Sequence, residues 1–391
     1  MIIDLATINF AGGGSGGGGG TPTPTVKLQE KTVGITTNGT TVIVPDAGYG
    51  GMYEVEVNVD VPTQGGGASG IDFLPIGYSA QFSNEINGVW NDDIAYSKTL
   101  YDAWDPSKTL LHSAFEGDTK LVFAPNVDTS SATSMYKMFK DCVNLTTVPV
   151  LNTETVNDMI SLFEGCKSLK EAPLFETTNV TDMNNMFVNC SLLTQVPLYK
   201  TTNVTDMSIM FKNCTSLVTI PVFNATNVIS TMSMFYGCTS LVSVELNTVS
   251  AINMNGMFQD CKALKTANIK TDSATDVSYL FKNCEALESL PLLNFGKVTT
   301  LTQIFGLSNH TKLTELGGFK DLKIDWTGNY GLAKLPNLTY QSVMNVINNL
   351  YDFRGNGDTT TTRTIKFHAN ALAMLSDADK AIATNKGWIL S

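Results

Sequence analysis

Charge is scarce in this 391-residue chain: Asp, Glu, Lys and Arg make up 16% of it, and the net charge is −11. No cluster of lysine or arginine offsets that balance, which argues against nucleic acid and anionic membrane as partners. Histidine is scarcer still. His112, His310 and His368 are far apart, and no C-x-x-C pair is present, so no metal-ligand set is expected. No apolar run reaches the 18 residues that would cross a membrane. Met1–Phe10 carries Asp4 and lacks the basic start and long apolar centre of a secretory signal. The expectation is that the chain reaches an exterior by another route, such as release within a virus particle. A nucleophile motif, a P-loop, H-E-x-x-H and a strand–helix G-x-G-x-x-G are also missing. No catalysis and no cofactor are expected. A glycan-cleaving enzyme would need paired carboxylates, whereas Glu171 stands alone on the face described below.

What the chain does have is a ruler. Cys142, Cys166, Cys190, Cys214, Cys238, Cys261 and Cys284 are its seven cysteines, 24, 24, 24, 24, 23 and 23 residues apart. Each follows a phenylalanine by three positions, and Phe305 continues the beat without a cysteine. A fixed period of this length is the signature of a solenoid. An odd number of evenly spaced cysteines is not a disulfide framework; buried and reduced, they behave as small apolar residues.

Within one coil, Met183, Met186, Phe187 and Cys190 fall at i, i+3, i+4 and i+7, the spacing of one face of a short helix. Leu193, Val196 and Leu198 follow as an L-x-x-V-x-L strand. One such coil is too small to stand alone, and stacking on neighbours makes up the deficit. A further column holds Asp158, Asp182, Asp206 and Asp276, interleaved with Ser134, Ser230, Asn253 and Thr300. All are helix N-cap types; calcium along a stacked carboxylate ladder is the sharper alternative.

The fold class expected is an α/β solenoid of about eight 23–24-residue coils. Residues 1–24 form an N-terminal peptide and glycine-rich linker, 25–62 a small β module, and 63–70 a second linker. Residues 71–117 cap the first coil, 118–324 are the repeats, and 325–391 form an α/β cap. In that cap, helices are expected at Tyr340–Phe353 and Asp377–Asn385 and a strand at Thr364–Phe367. The β module, under 40 residues, can hardly form a core alone, which favours a homotrimer.

If inward and outward residues alternate along each strand, the residue after the last apolar position points out. That column reads Leu151, Phe175, Tyr199 and Phe223, flanked by Glu171 and Gln195. Aromatic faces beside carboxylate and amide groups suit a sugar or a protein partner. Phe175, Tyr199, Phe223, Glu171 and Gln195 are therefore the candidate ligand strip, on the concave side.

The pattern T-x-x-V-T-D-M-x-x-M-F-x-x-C-x-S-L-x-x-V-P, best kept at Asn179–Met183 and Asn203–Met207, resembles the BspA-like leucine-rich repeats of bacterial surface lipoproteins. Coils five and six depart from it, with Glu245 and Asn268 in place of proline. The segments LQEKTV (28–33), PDAGYG (45–50) and 55–61 resemble a small β module of phage tail and fibre proteins. SDADKAIATNKGW (376–388) is similar to the C-terminal units of phage-encoded leucine-rich repeat proteins. The resemblance implies an adhesive, non-enzymatic protein on the outer surface of a tailed-phage virion. Ile2, Ile3, Leu5, Ile8 and Phe10 would anchor it to capsid or tail, and the repeats would meet a host-surface glycan or protein. The alternative is a bacterial cell-surface adhesin of the same repeat class.

Overall fold

The computed structural model describes residues 36–38, 41–45, 52–56, 92–329 and 331–391. The anchor residues Ile2, Ile3, Leu5, Ile8 and Phe10 and both glycine linkers lie outside these. By contacts the chain divides into Met1–Trp104 with Phe123–Val127 and Val148–Leu151, and a second unit holding the rest. In the first unit, β1 (Thr36–Asn38), β2 (Thr41–Pro45) and β3 (Met52–Glu56) form an antiparallel meander. A helix, α1, runs over Asp92–Asp102.

The second unit is the solenoid. Its parallel register is visible as a chain of bridges through one column, from Leu110 to Ser134, Asp158, Asp182, Asp206, Ser230, Asn253, Asp276 and Thr300. The stack thus begins at Leu110. Phe115, Phe139, Phe163, Phe187, Phe211, Phe235, Phe258, Phe281 and Phe305 form one continuous ladder, with ring centroids 5.3–6.2 Å apart. Trp326 closes it at 6.5 Å from Phe305. The Met, Cys and Leu columns of these coils are fully buried, so each coil's core lies between its neighbours.

The M-x-x-M-F-x-x-C segment is a run of turns; the short helix expected there does not form. In the second coil, Leu162, Glu164 and Cys166 donate to the carbonyls of Met159, Ser161 and Phe163. The intervening amides of Met159, Ser161, Phe163 and Gly165 donate instead to the next coil, at Asp182, Asn184, Met186 and Val188. An α-helix would spend those amides on its own i−4 carbonyls; here the neighbour takes them. Two left-handed residues per coil make the pattern possible, as at Ser161 (φ 55°) and Gly165 (φ 77°). The second of these positions holds Gly, Asn or Asp in every coil from Gly117 to Gly306, the types that tolerate that conformation.

The solenoid's three-residue strands form in the two coils without proline, and shorter ones follow on either side of Pro291. β4 (Ser243–Glu245), β5 (Thr266–Asn268), β6 (Ser289–Leu290) and β8 (Glu315–Leu316) make a parallel sheet, and β7 (Leu293–Asn294) pairs with β9 (Phe319–Lys320). In the coils carrying Pro173 and Pro197 the ladder at this strand position is reduced to the bridge from Glu171 to Gln195, because proline has no amide to extend it.

At the C-terminus, α2 (Tyr340–Asn349) is capped by Thr339, whose side chain accepts from the Ser342 amide. α3 covers Ala369–Ala373 and α4 Asp377–Asn385, the latter opened by a Ser376–Asp379 capping box. β10 (Arg363–Ile365) pairs in parallel with β11 (Trp388–Leu390).

Candidate interaction face

The aromatic strip expected on the surface is inside. Phe175, Tyr199 and Phe223 are 3%, 2% and 1% exposed. They stack on the main ladder, Phe175 on Phe163, Tyr199 on Phe187 and Phe223 on Phe211, and Tyr199 also on Phe223. The Tyr199 hydroxyl donates to the Pro173 carbonyl at 3.0 Å, and burial pushes its pKa up. These three residues cannot touch a ligand in this fold.

The reason is one residue of chain. Every 24-residue step starting at Cys166, Cys190 or Cys214 contains a proline, and the two 23-residue steps after Cys238 and Cys261 do not. In the short coils alternation holds: Val244 is in, Glu245 out and Leu246 in, as are Ala267, Asn268 and Ile269. In the proline coils the extra residue is turned outward, and the following aromatic takes the inward place of Leu246. Leu174, Leu198 and Val222 are consequently 56%, 61% and 62% exposed. Val150, in the same sequence column, is exposed too, and so is Leu292 after Pro291.

Glu171 and Gln195 are on the surface as expected, joined by their bridge. With Thr219 they line one side of the exposed aliphatic row. Glu176, Lys200 and Asn224 line the other. Lys200 Nζ lies 2.8 Å from Glu176 Oε2. That bond, followed by the Thr178 hydroxyl, holds the Glu176 carboxyl down at about 2. The exposed row therefore lies one residue before the aromatic column. Glu171 and Gln195 stay on its edge, and its exposed apolar residues are Leu174, Leu198 and Val222.

The other columns offer no chemistry at the surface. Each of the seven thiols is buried and donates to the carbonyl of the phenylalanine in the preceding coil, at 2.9–3.1 Å. Burial raises their pKa values, to about 12 for Cys142; a thiol so shifted is not a nucleophile near neutral pH. In the acid column Asp158, Asp182 and Asp206 each accept, through Oδ1, the amide two residues on. This is capping chemistry performed on a turn. Burial, followed by the backbone bond's opposite pull and then the Asp206 and Asp158 charges, leaves the Asp182 pKa raised. Among the described residues no group of three or more His, Cys, Asp or Glu is arranged to hold a metal ion.

Comparison with curated proteins gives no match. Among solved structures the chain is similar to a leucine-rich cell surface protein from Faecalibacterium prausnitzii, with 16% identity and a TM-score of 0.34 over 50% of this chain. It spans 60% of that protein's length. It is also similar to a leucine-rich repeat protein of T. pallidum, with 20% identity, TM-score 0.27, and 45% and 69% of the two chains covered. A third similarity is to a leucine-rich repeat protein from Bacteroides ovatus, with 15% identity, TM-score 0.25, and 53% and 75% covered. The profile described as Mycoplasma protein of unknown function, DUF285, matches residues 85–173, 133–244, 170–269 and 218–316, together more than half of the chain, and the chain belongs to that family.

Proposed function

We propose that the chain is a non-enzymatic interaction module displayed on an exterior surface, docking through the aliphatic row of its proline coils. The observation that carries this is the outward turn of Leu174, Leu198 and Val222 in consecutive coils, each more than half exposed. Scattered surface leucines need no explanation, but a contiguous apolar row rimmed by polar groups marks a contact surface. The seven thiols of the repeats are sealed in the core, which favours binding over catalysis by them. No helix among the described residues is long and apolar enough to cross a membrane.

In the finer reading the surface is that of a tailed-phage particle, with the segment holding Ile2, Ile3, Leu5, Ile8 and Phe10 attached to capsid or tail. It is supported by the resemblance of the flanking segments to phage-encoded units. A bacterial cell-surface adhesin is the second reading, supported by the repeat pattern itself. Retention of the fluorescently labelled full chain on intact bacterial cells, read by flow cytometry, tests the face. Leu174→Lys with Leu198→Lys should lose most of the bound signal at an unchanged melting temperature. Equal retention by this variant sinks the proposal.

A further inference from the structure

We propose that the first partner of this face is a second copy of the chain, bound antiparallel; the inference rests on the reading of the aliphatic row as a docking surface. The residues of the face run in order along three parallel lines. The row itself runs Leu174, Leu198, Val222. One rim runs Glu171, Gln195, Thr219, and the other runs Glu176, Lys200, Asn224. Successive coils are spaced by about 4.8 Å, so each line is regular.

Two copies can be laid face to face about a two-fold axis that crosses these lines between the Leu174 and Leu198 coils. Each line then lies over itself with its direction reversed, an isologous contact. Leu174 meets Leu198 of the second copy, and Leu198 meets its Leu174. On one rim Glu176 faces Lys200 of the second copy, and on the other Glu171 faces its Gln195. The two Glu176–Lys200 pairs, each already formed at 2.8 Å within one chain, become a cluster of four charges alternating in sign.

An axis running along the lines gives the parallel arrangement instead. That exchanges the two rims and sets Glu176 over Glu171 of the second copy and Lys200 over its Gln195, a like-charge juxtaposition with no opposite-charge pair, which disfavours association. A partner of unrelated sequence has no reason to meet a face whose charges complement their own reversed order. The three exposed aliphatic side chains offer on the order of 300 Å². With both rims the contact approaches roughly 600 Å² per copy, the lower end for a specific pair. The short coils bound it, since Glu245, Asn247, Asn268 and Lys270 replace the row on their outer side.

Mass photometry of the full chain, without cells, should give a species at twice 42.2 kDa. Leu174→Lys with Leu198→Lys should halve that mass while leaving the circular dichroism of the wild type, the melting temperature falling only by the part that depends on protein concentration. Glu176→Lys alone should weaken the pair, and adding Lys200→Glu should restore it. Register is read by oxidative cross-linking, because the native thiols are buried and silent. A mixture of Leu174→Cys and Leu198→Cys chains should form a mixed disulfide that neither forms alone. A monomeric wild type overturns self-pairing even if the cell-retention assay succeeds. Cross-linking of Leu174→Cys to itself overturns the antiparallel order. A trimer that survives the double lysine variant overturns the proposal in favour of assembly through the β module.

Discussion

The coils carrying Pro173, Pro197 and Pro221 and the two short coils carrying Glu245 and Asn268 share one core and differ on one face. In both, the Phe, Cys and Leu columns are buried and the turns donate amides to the next coil. Where proline is absent, the strand ladder continues, Leu246 and Ile269 fill the inward place, and polar residues face out. Where proline is present, the ladder shrinks to a bridge, an aromatic fills the inward place, and an aliphatic residue is turned out. The proline coils have given up backbone bonds and gained a second aromatic stack under an exposed row. A solenoid can thus keep its core constant and change its surface chemistry with one inserted residue per coil.

Adjacent residues in one proline coil give the sharpest way to break this contrast. Tyr199→Ala removes a buried ring and the donor to the Pro173 carbonyl, and should cost about 3–5 kcal/mol. Leu246→Ala, its counterpart in a short coil, should cost about 2–5 kcal/mol. Leu198→Ala, one residue from Tyr199 but facing water, should cost less than about 0.5 kcal/mol. Denaturant titration of the three variants measures this. If Tyr199→Ala is as mild as Leu198→Ala, the inward and outward assignments are reversed.

That pair of residues also shows how far the sequence could be read. The 24-residue beat carried the solenoid, its register and its aromatic ladder, because a Phe–Cys offset that never varies needs a repeated environment. The helices expected at Tyr340–Phe353 and Asp377–Asn385 and the strand expected at Thr364–Phe367 form at Tyr340–Asn349, Asp377–Asn385 and Arg363–Ile365. The turns were not legible. Met183, Met186, Phe187 and Cys190 point inward on a helix or on stacked turns alike, and only the destination of the amides separates the two. Phe175, Tyr199 and Phe223 were expected outside and lie inside because strict alternation was carried through a proline. The signal was present in the step lengths: the two 23-residue steps are those without a proline, so the extra residue had to sit beside it.

The end of the stack offers a milder contrast, between coils closed by cysteine and the last one, closed by His310. Its Nε2 is 2.6 Å from the Phe305 carbonyl, which can only accept, so Nε2 carries the proton. Nδ1 is buried with no hydrogen-bond partner. Burial lowers the His310 pKa, with the Phe305 and Cys284 carbonyls and Glu285 acting in the opposite sense. A folded value below the unfolded one, near 6.5, means the unfolded chain takes up the proton first as pH falls. Stability is then unaffected above that value. Below it, the loss runs at up to about 1.4 kcal/mol per pH unit until the folded ring also titrates. Melting curves between pH 7.5 and 5 should show a fall that His310→Phe flattens relative to the wild type.

The smallest expected effect lies in the acid column, where the two kinds of coil differ again. Asp158, Asp182 and Asp206 stack in the proline coils, whereas Ser230 and Asn253 hold the column beside the short ones. Asp182, half-buried between two like charges, has a raised pKa. A carboxyl whose folded value lies above its unfolded one costs stability when ionised, and that cost fades as pH falls and the folded group protonates. Asn keeps the oxygen that accepts the Asn184 amide at 2.8 Å and removes the charge. Asp182→Asn should therefore stabilise the chain at pH 7 by less than about 1 kcal/mol, since the group is still partly solvated. The gain should vanish toward pH 3. Asn253→Asp makes the reciprocal change next to Asp276 and should cost a similar amount at pH 7. If Asp182→Asn destabilises at neutral pH, the column is held by something other than its caps, and a cation bridging the stacked carboxylates becomes the better account.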